Sequence, residues 1–267
     1  MSDPDISLVS AALGISRTVI YQPALKLQTK REQLRQQILD VLSVNPGYGH
    51  RRIAMALGMG KKRVRQTMRL FGIKPYKRKA RWSKKRDLGR PGAKYSNLIK
   101  GSCPIKPGIT LVGDFTRIPY LGGIIYLATF MDLFTREIVG WNISTRHTSE
   151  LVINALFDAI KTLGKIPLIV HTDQGAEYNC KEYLSLLQKL GIQISMSKKA
   201  SPWENGYQES YYDNFKTDLG LEFDRFETLG ELIAAIHQTI VYYNQKRIHT
   251  ALKMSPVQFK HIYNQRS

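Results

Sequence analysis

The 267-residue sequence predicts an α/β protein: a mixed five-stranded sheet with flanking helices, preceded by an all-α helix-turn-helix region. Three observations predict it. The apolar spacing is helical through the first eighty residues and turns strand-like from Ile109 onward. The later segment reads in the order βββαβαβα, which sets a mixed sheet between two helical layers. The charge is also split. Of a net +19, residues 1–100 hold 23 Lys and Arg against 5 acids, whereas residues 101–267 hold 17 against 16.

In chain order, Ser7–Leu13, Gly14 and Ser16–Tyr21 form a first helix-turn-helix pattern. Lys30–Val44 is a longer amphipathic helix with Leu34, Ile38, Leu39, Val41 and Leu42 as its apolar stripe, ended by Asn45-Pro46-Gly47. A second helix-turn-helix pattern follows on Ala54, Gly58 and Val64. Lys61, Lys62, Arg63, Arg65 and Arg69 decorate its second helix, and Arg51 and Arg52 its first. A basic second helix suits a major groove, because its flanks must also meet phosphates. Lys61 to Arg90 carries 14 basic residues and one acid, Asp87. Such a run repels itself unless a polyanion is near, and releasing counterions from a phosphate backbone supplies the attraction. Double-stranded DNA is the expected partner. Lys77, Arg78 and Lys79 belong to the basic linker that carries this charge onward.

The expected division is 1–75, helical and DNA-binding; 76–108, linker, broken by Pro and Gly; 109–225, a compact core; and 226–267, a helical extension of that core. Within the core, Ile109–Thr116, Ile124–Met131 and Arg136–Ile143 read as an antiparallel meander. A helix capped near Thr148 or Ser149 follows, burying Leu151, Val152, Ala155, Leu156, Ala159 and Ile160. Ile166–His171 is a short buried strand, Lys181–Leu190 a helix and Ile192–Met196 a fifth strand. Helices close the chain at about Pro202–Leu219 and Glu227–Asn244. No apolar run nears the roughly 18 residues that span a bilayer. The acidic N-terminus does not read as a signal peptide. Cys103 and Cys180 are too few for a disulfide scaffold, so a cytoplasmic, nucleoid-associated location is expected.

Three acids stand out by placement: Asp114 near the end of the first core strand, Asp173 just after the buried fourth strand, and Glu209 on the helix after the fifth. Groups at strand ends converge in one crevice of such a sheet. Clustered carboxylates repel unless a cation lies among them, and oxygen-only ligands select Mg²⁺ or Mn²⁺. Two such ions serve phosphoryl transfer. Taken singly, Asp173 also reads as a turn residue before Gly175, and Asp114 as a strand-edge acid. Glu204 competes with Glu209, but Ser201-Pro202-Trp203-Glu204 reads as a capping box that already employs Glu204. Asn205 and Lys216 share the face of Glu209, four residues before it and seven after. An amide and a lysine there suit a substrate oxygen and a phosphate.

The set Asp114, Asp173, Glu209 and Lys216 resembles the catalytic core of DDE transposases and retroviral-type integrases. The strings HTDQGAEY, SMSKKASPWENGYQESYYDNFKTDL and YYNQKRIHTALKMSPVQF, with YGHRRIAMALGMGKKRVRQTM upstream, resemble the OrfB-type transposases of two-frame bacterial insertion sequences, the IS-three group. The resemblance covers roughly residues 10–260. It implies an RNase H-like fold with Asp114, Asp173 and Glu209 as catalytic and metal-holding residues around two divalent ions. It also implies strand cleavage by water and strand transfer by a DNA 3′-hydroxyl, with Lys216 near the scissile phosphate. Tyr243, Asn244, Arg247 and His249 match the group's Y-N-x-x-R-x-H block, which implies DNA contact and support of the site. Two DNA ends processed together imply at least a dimer on DNA. The group's frameshift products imply an upstream-frame partner, so whether this chain acts alone stays open. The sequence departs from the group at Ala200-Ser201, Glu204 and Gly206, where Gly-Asn, Asp and Ala are usual. It lacks a His-His-Cys-Cys zinc set. A catalytically inactive DNA-binding regulator with the same fold is the alternative.

Overall fold

The computed structural model describes residues 6–76, 94–101, 104–198, 202–220 and 225–266. The chain divides into two compact units, Met1–Tyr76 and Lys77–Ser267. Among the described residues no helix is long and apolar enough to cross a membrane.

The first unit is all-helical: α1 (Ile6–Leu13), α2 (Arg17–Val44), α3 (His50–Ala56) and α4 (Lys61–Leu70). The sequence reading broke α2 into two helices; the structure makes it one of 28 residues. Pro23 lacks the N–H for one ladder bond near its start, but Ala24 to Gln28 and the charged run after them are strong helix formers. Leu34 and Ile38 of α2 are buried with Ile53, Ala54, Val64 and Met68 of α3 and α4. Gly58 takes φ 61°, a left-handed turn between α3 and α4 that an L side chain rarely adopts.

The second unit holds β1 (Thr110–Tyr120), β2 (Gly123–Asp132), β3 (Ile138–Ser144), α5 (Ser149–Leu163), β4 (Ile169–Thr172), α6 (Ala176–Asn179), α7 (Lys181–Lys189) and β5 (Gln193–Met196). A 3₁₀ turn over Pro202–Asn205 precedes α8 (Gly206–Leu219), α9 (Leu229–Gln245) and α10 (Pro256–Arg266). The sheet order is β3-β2-β1-β4-β5. β1, β2 and β3 pair antiparallel, and β1–β4 and β4–β5 pair parallel. The fold is the expected mixed five-stranded sheet with flanking helices.

Alternation along the strands sorts the core into two layers. Ala128 and Phe130 of β2 pack with Leu111, Val170 and the apolar stripe of α5, joined by Tyr183, Leu184 and Leu187 of α7. Ile125, Leu127 and Met131 point the other way, to Tyr211, Phe215 and Leu219 of α8 and Leu232, Ile236 and Ile240 of α9. Strand ends differ from the reading for local reasons. Arg136 takes φ 64° in the turn, so β3 begins at Ile138. Pro167 has no N–H to pair, and the half-exposed Ile166 and Leu168 stay outside β4. The reading also missed α6, a single turn, and α10, which lays Phe259 and Tyr263 on Phe134.

α5 is seated on β3 at Gly140. A Cβ there would stand 2.4 Å from the carbonyl oxygen of Ala155 and 2.4 Å from the nitrogen of Ala159, both helix backbone. Asp158 adds a tie, accepting the N–H of Trp141 at 3.0 Å. Gly140→Ala is therefore expected to cost at least about 3 kcal/mol, the upper end for overpacking, because backbone cannot step aside. A urea midpoint within error of wild type would show that the helix is not held this closely.

Candidate functional site

β1 and β4 run parallel with Val112 opposite His171. Asp114 and Asp173 each lie two residues further on, so the strand register sets the two acids side by side where β4 ends. Asp114 Oδ1 accepts the N–H of Phe115 at 2.8 Å. Asp173 Oδ1 accepts the N–H of Gly175 at 2.9 Å, an Asx turn that orients its carboxylate.

α8 brings the third acid. Its docking is polar as well as apolar. Gln208, fully buried, donates its amide to the carbonyl of Val112 at 2.5 Å. The Tyr212 hydroxyl donates to the carbonyl of Asp114 itself at 2.6 Å. The hydroxyl of Thr129, on β2, lies between them, 3.2 Å from Gln208 Oε1 and 2.8 Å from the Tyr212 oxygen. Asn205 donates to the carbonyl of Gly113 at 3.4 Å. Glu209 follows Gln208 on the exposed side of α8.

Sequence reasoning missed Glu177, on α6. It is buried, its charge acts on Asp114, and the charge of Asp173 acts on it. The signal was its place four residues after Asp173, but a one-turn helix has no apolar period to reveal its geometry. Burial is the largest cause that pushes the Asp114 carboxyl from its ordinary 3.8 up to about 8. The charge of Asp173 adds to this, and those of Glu177 and Glu209 add less; the Phe115 N–H opposes them. Burial likewise raises Asp173 and Glu177, with His147 opposing in both. Behind the acids, burial lowers His171 to about 4, and its Nδ1 meets Ser195 Oγ at 2.8 Å.

An oxygen-only donor set whose charged forms are disfavoured fits a divalent cation by its chemistry. Among the described residues, no three His, Cys, Asp or Glu side chains stand close enough to hold an ion together.

Several expected DNA contacts lie elsewhere. Arg247 is buried at 2% exposure, where it forms an ion pair with Asp218 and donates to Asn214 at 3.0 Å. This corrects its reading as a DNA contact: a side chain held between α8 and the end of α9 cannot reach a duplex. Asn244 clamps β3, accepting the N–H of Ile138 at 2.9 Å and donating to its carbonyl at 2.8 Å. Tyr243 packs edge-on against Tyr211. His249 is partly buried, its N–H donating to the carbonyl of Met254 at 2.9 Å. Asn205 is buried against β1 and not turned out toward a substrate. Lys216 is half-buried on α8. Ser201 lies outside the described residues. Glu204 does have a structural task, accepting the N–H of Lys198 at 2.8 Å, but it does so from the 3₁₀ turn.

In the first unit, Lys61, Lys62, Arg63, Arg65 and Arg69 are all exposed along α4, and Arg51 is exposed on α3. Arg52 lies 5.9 Å over the Tyr48 ring. Arg63 meets Lys30 and Arg31 across a groove of about 440 Å³ between α2 and α4. Lys77, Arg78 and Lys79 lie outside the described residues.

Two family models described as integrase core domain match residues 104–202 and 190–256. The transposase for insertion sequence element IS904 of Lactococcus lactis subsp. lactis (strain IL1403) is 37% identical over 248 residues, covering 88% of this chain and 96% of that protein. The Escherichia coli (strain K12) protein InsK, for insertion sequence element IS150, is 29% identical over 259 residues, 93% of this chain and 91% of that one. A cryo-electron microscopy structure of the simian T-cell lymphotropic virus intasome matches with a TM-score of 0.53 at 18% identity, covering 84% of this chain and 74% of that chain, a likeness of fold.

The raised Asp114 carboxyl has a consequence for stability. The folded chain keeps a proton that the unfolded chain releases near 3.8, so this stabilisation is complete below that pH and is lost as pH rises through about 8. In chelator, the melting temperature is expected to fall across that range. Asp114→Asn is expected to give a shallower slope and to melt higher than wild type at pH 8. Thermal melts at several pH values check this; an unchanged slope in the variant would contradict it.

Proposed function

This chain belongs to the insertion-sequence transposases of the integrase-core family, and we propose that it performs their DNA-joining chemistry through Asp114, Asp173 and Glu209. The activity is DNA transposition, a phosphoryl transfer by a DDE-type polynucleotidyl transferase. The observation that carries the residue assignment is the parallel register of β1 and β4, which sets Asp114 beside Asp173 under a helix that bears Glu209. No observation favours the inactive regulator.

In this reading the three acids hold divalent ions, two Mg²⁺ or Mn²⁺. When bound, such ions polarise the attacking oxygen and stabilise the leaving one. The chain's own residues supply placement. Tyr212 and Gln208 fix α8 to β1, so Glu209 and Asp114 keep one relation. Lys216, two turns along α8, meets a backbone phosphate near the scissile bond. The exposed bases of α4 grip the duplex and, with Arg51, orient it. Two element ends must react together, so the working form is at least a dimer on DNA. The upstream-frame product of the element is a further partner, and bacterial DNA as substrate places the work in the cytoplasm, at the nucleoid.

Asp173→Asn and Glu209→Gln are each expected to lower Mg²⁺-dependent nicking and joining of an element-end duplex by more than about a hundredfold, beyond what outer groups of a metal site cost. Wild-type activity in either variant would remove that acid from the site. Arg65→Ala is expected to weaken DNA binding evenly across sequences and to reduce the salt slope of log K by about 1. An unchanged slope in binding titrations would take Arg65 off the DNA.

A further inference from the structure

Glu177 has no part in the chemistry so far, yet its setting is unusual for a carboxylate. The residue is 5% exposed, and neither side-chain oxygen has a hydrogen-bond partner. Buried carboxylates without hydrogen bonds are costly and call for an explanation, an ion among them. Its nearest polar neighbour on that side is His147, whose Nε2 stands 3.4 Å from Oε2. The imidazole is held there by Phe115, ring centroids 4.6 Å apart, and by Tyr126 at 5.2 Å. Oε1 borders a different space. A Cβ built on Gly175 would lie 2.2 Å from Glu177 Oε1 and 3.1 Å from Asp173 Oδ1. Glu177 Oε1 thus fills the space that a side chain at residue 175 would take, and the missing side chain is what lets this carboxylate come up beside that of Asp173. A carboxylate serving His147 alone would need neither this burial nor this neighbour. The repulsion between Glu177 and the two aspartates points the same way.

We propose that Glu177 is a fourth carboxylate of the divalent-cation site, set beside Asp173 across Gly175. The proposal rests on the reading of Asp114 and Asp173 as cation ligands. Glu177 adds negative charge to the site and helps hold the cation against the loop of residues 173–175.

The test is Mn²⁺ binding to the full chain without DNA, followed by the electron paramagnetic resonance of free Mn²⁺, with a metal-free melt beside it. Glu177→Gln keeps the shape and removes the charge. It is expected to weaken Mn²⁺ binding by about tenfold or more and to melt no lower than wild type without metal, because a repelled charge is gone. Asp173→Asn is expected to bind far more weakly. If Glu177→Gln binds as wild type does while Asp173→Asn does not, the proposal is overturned and the reading of the aspartates stands. A Gln variant that does not fold also overturns it, since the carboxylate would then serve the fold. If Asp173→Asn binds Mn²⁺ as wild type does, the reading of the aspartates fails and takes this proposal with it.

Discussion

Gln208 and Tyr212 are buried on α8 among apolar neighbours, and each spends its polar group on a carbonyl of β1. Tyr211, Phe215 and Leu219 give the helix its adhesion, but burial of apolar area is non-directional and would accept a small slide. The hydrogen bonds would not. Each nets only about 1 kcal/mol when made, while a buried polar group left without a partner costs about 1–3 kcal/mol. With Thr129 in the same cluster, a slide of one turn would orphan several at once. This seam therefore sets where α8 rests along the sheet, and with it the place of Glu209 relative to Asp114.

The same seam makes a repulsive cluster tolerable. Asp114 is tied at its carbonyl by Tyr212 and at its carboxylate by the Phe115 N–H, so it is held facing the other acids. A group kept against its electrostatic preference is a common mark of a functional site. It also gives a different weight to the net charge. The first hundred residues carry nearly all the excess positive charge, suited to gripping a polyanion. The near-neutral remainder concentrates several of its acids at one strand end, where bound cations would reverse the local sign before a phosphate arrives.

The block Tyr243, Asn244, Arg247 and His249 shows how a motif's residues can serve the packing of the fold. The resemblance to the group's Y-N-x-x-R-x-H block implies DNA contact and support of the site for these four residues. In the folded chain Arg247 pairs with Asp218, and Asn244 serves as a strand partner for Ile138. Breaking a buried pair of this kind typically costs about 3–5 kcal/mol. Loss of activity on substituting Arg247 would thus report on the seat of α8 and α9, not on DNA.

The meander, α5, α7 and the strand after which Asp173 falls were legible because each is encoded locally, by alternation, by a helical stripe or by a turn residue. Asp173 could be picked out for the same reason, since it follows the end of β4; Asp114, expected near a strand end, lies in the middle of β1, which runs on to Tyr120 paired with β2. The one-turn α6 carries no period, and α10 owes its place to Phe134, far back in the chain. From sequence alone, then, came the order of the main elements, the basic helical region and the choice of Asp114 and Asp173 as the acids to watch. Only the tertiary structure decided that Gln208 and Tyr212 lock α8 to β1, that Arg247 is buried, and that Glu177 stands beside Asp173. Those outcomes depend on burial and on partners from distant segments, and a group's partner and its local dielectric are set by the whole packed sheet, not by neighbours along the chain.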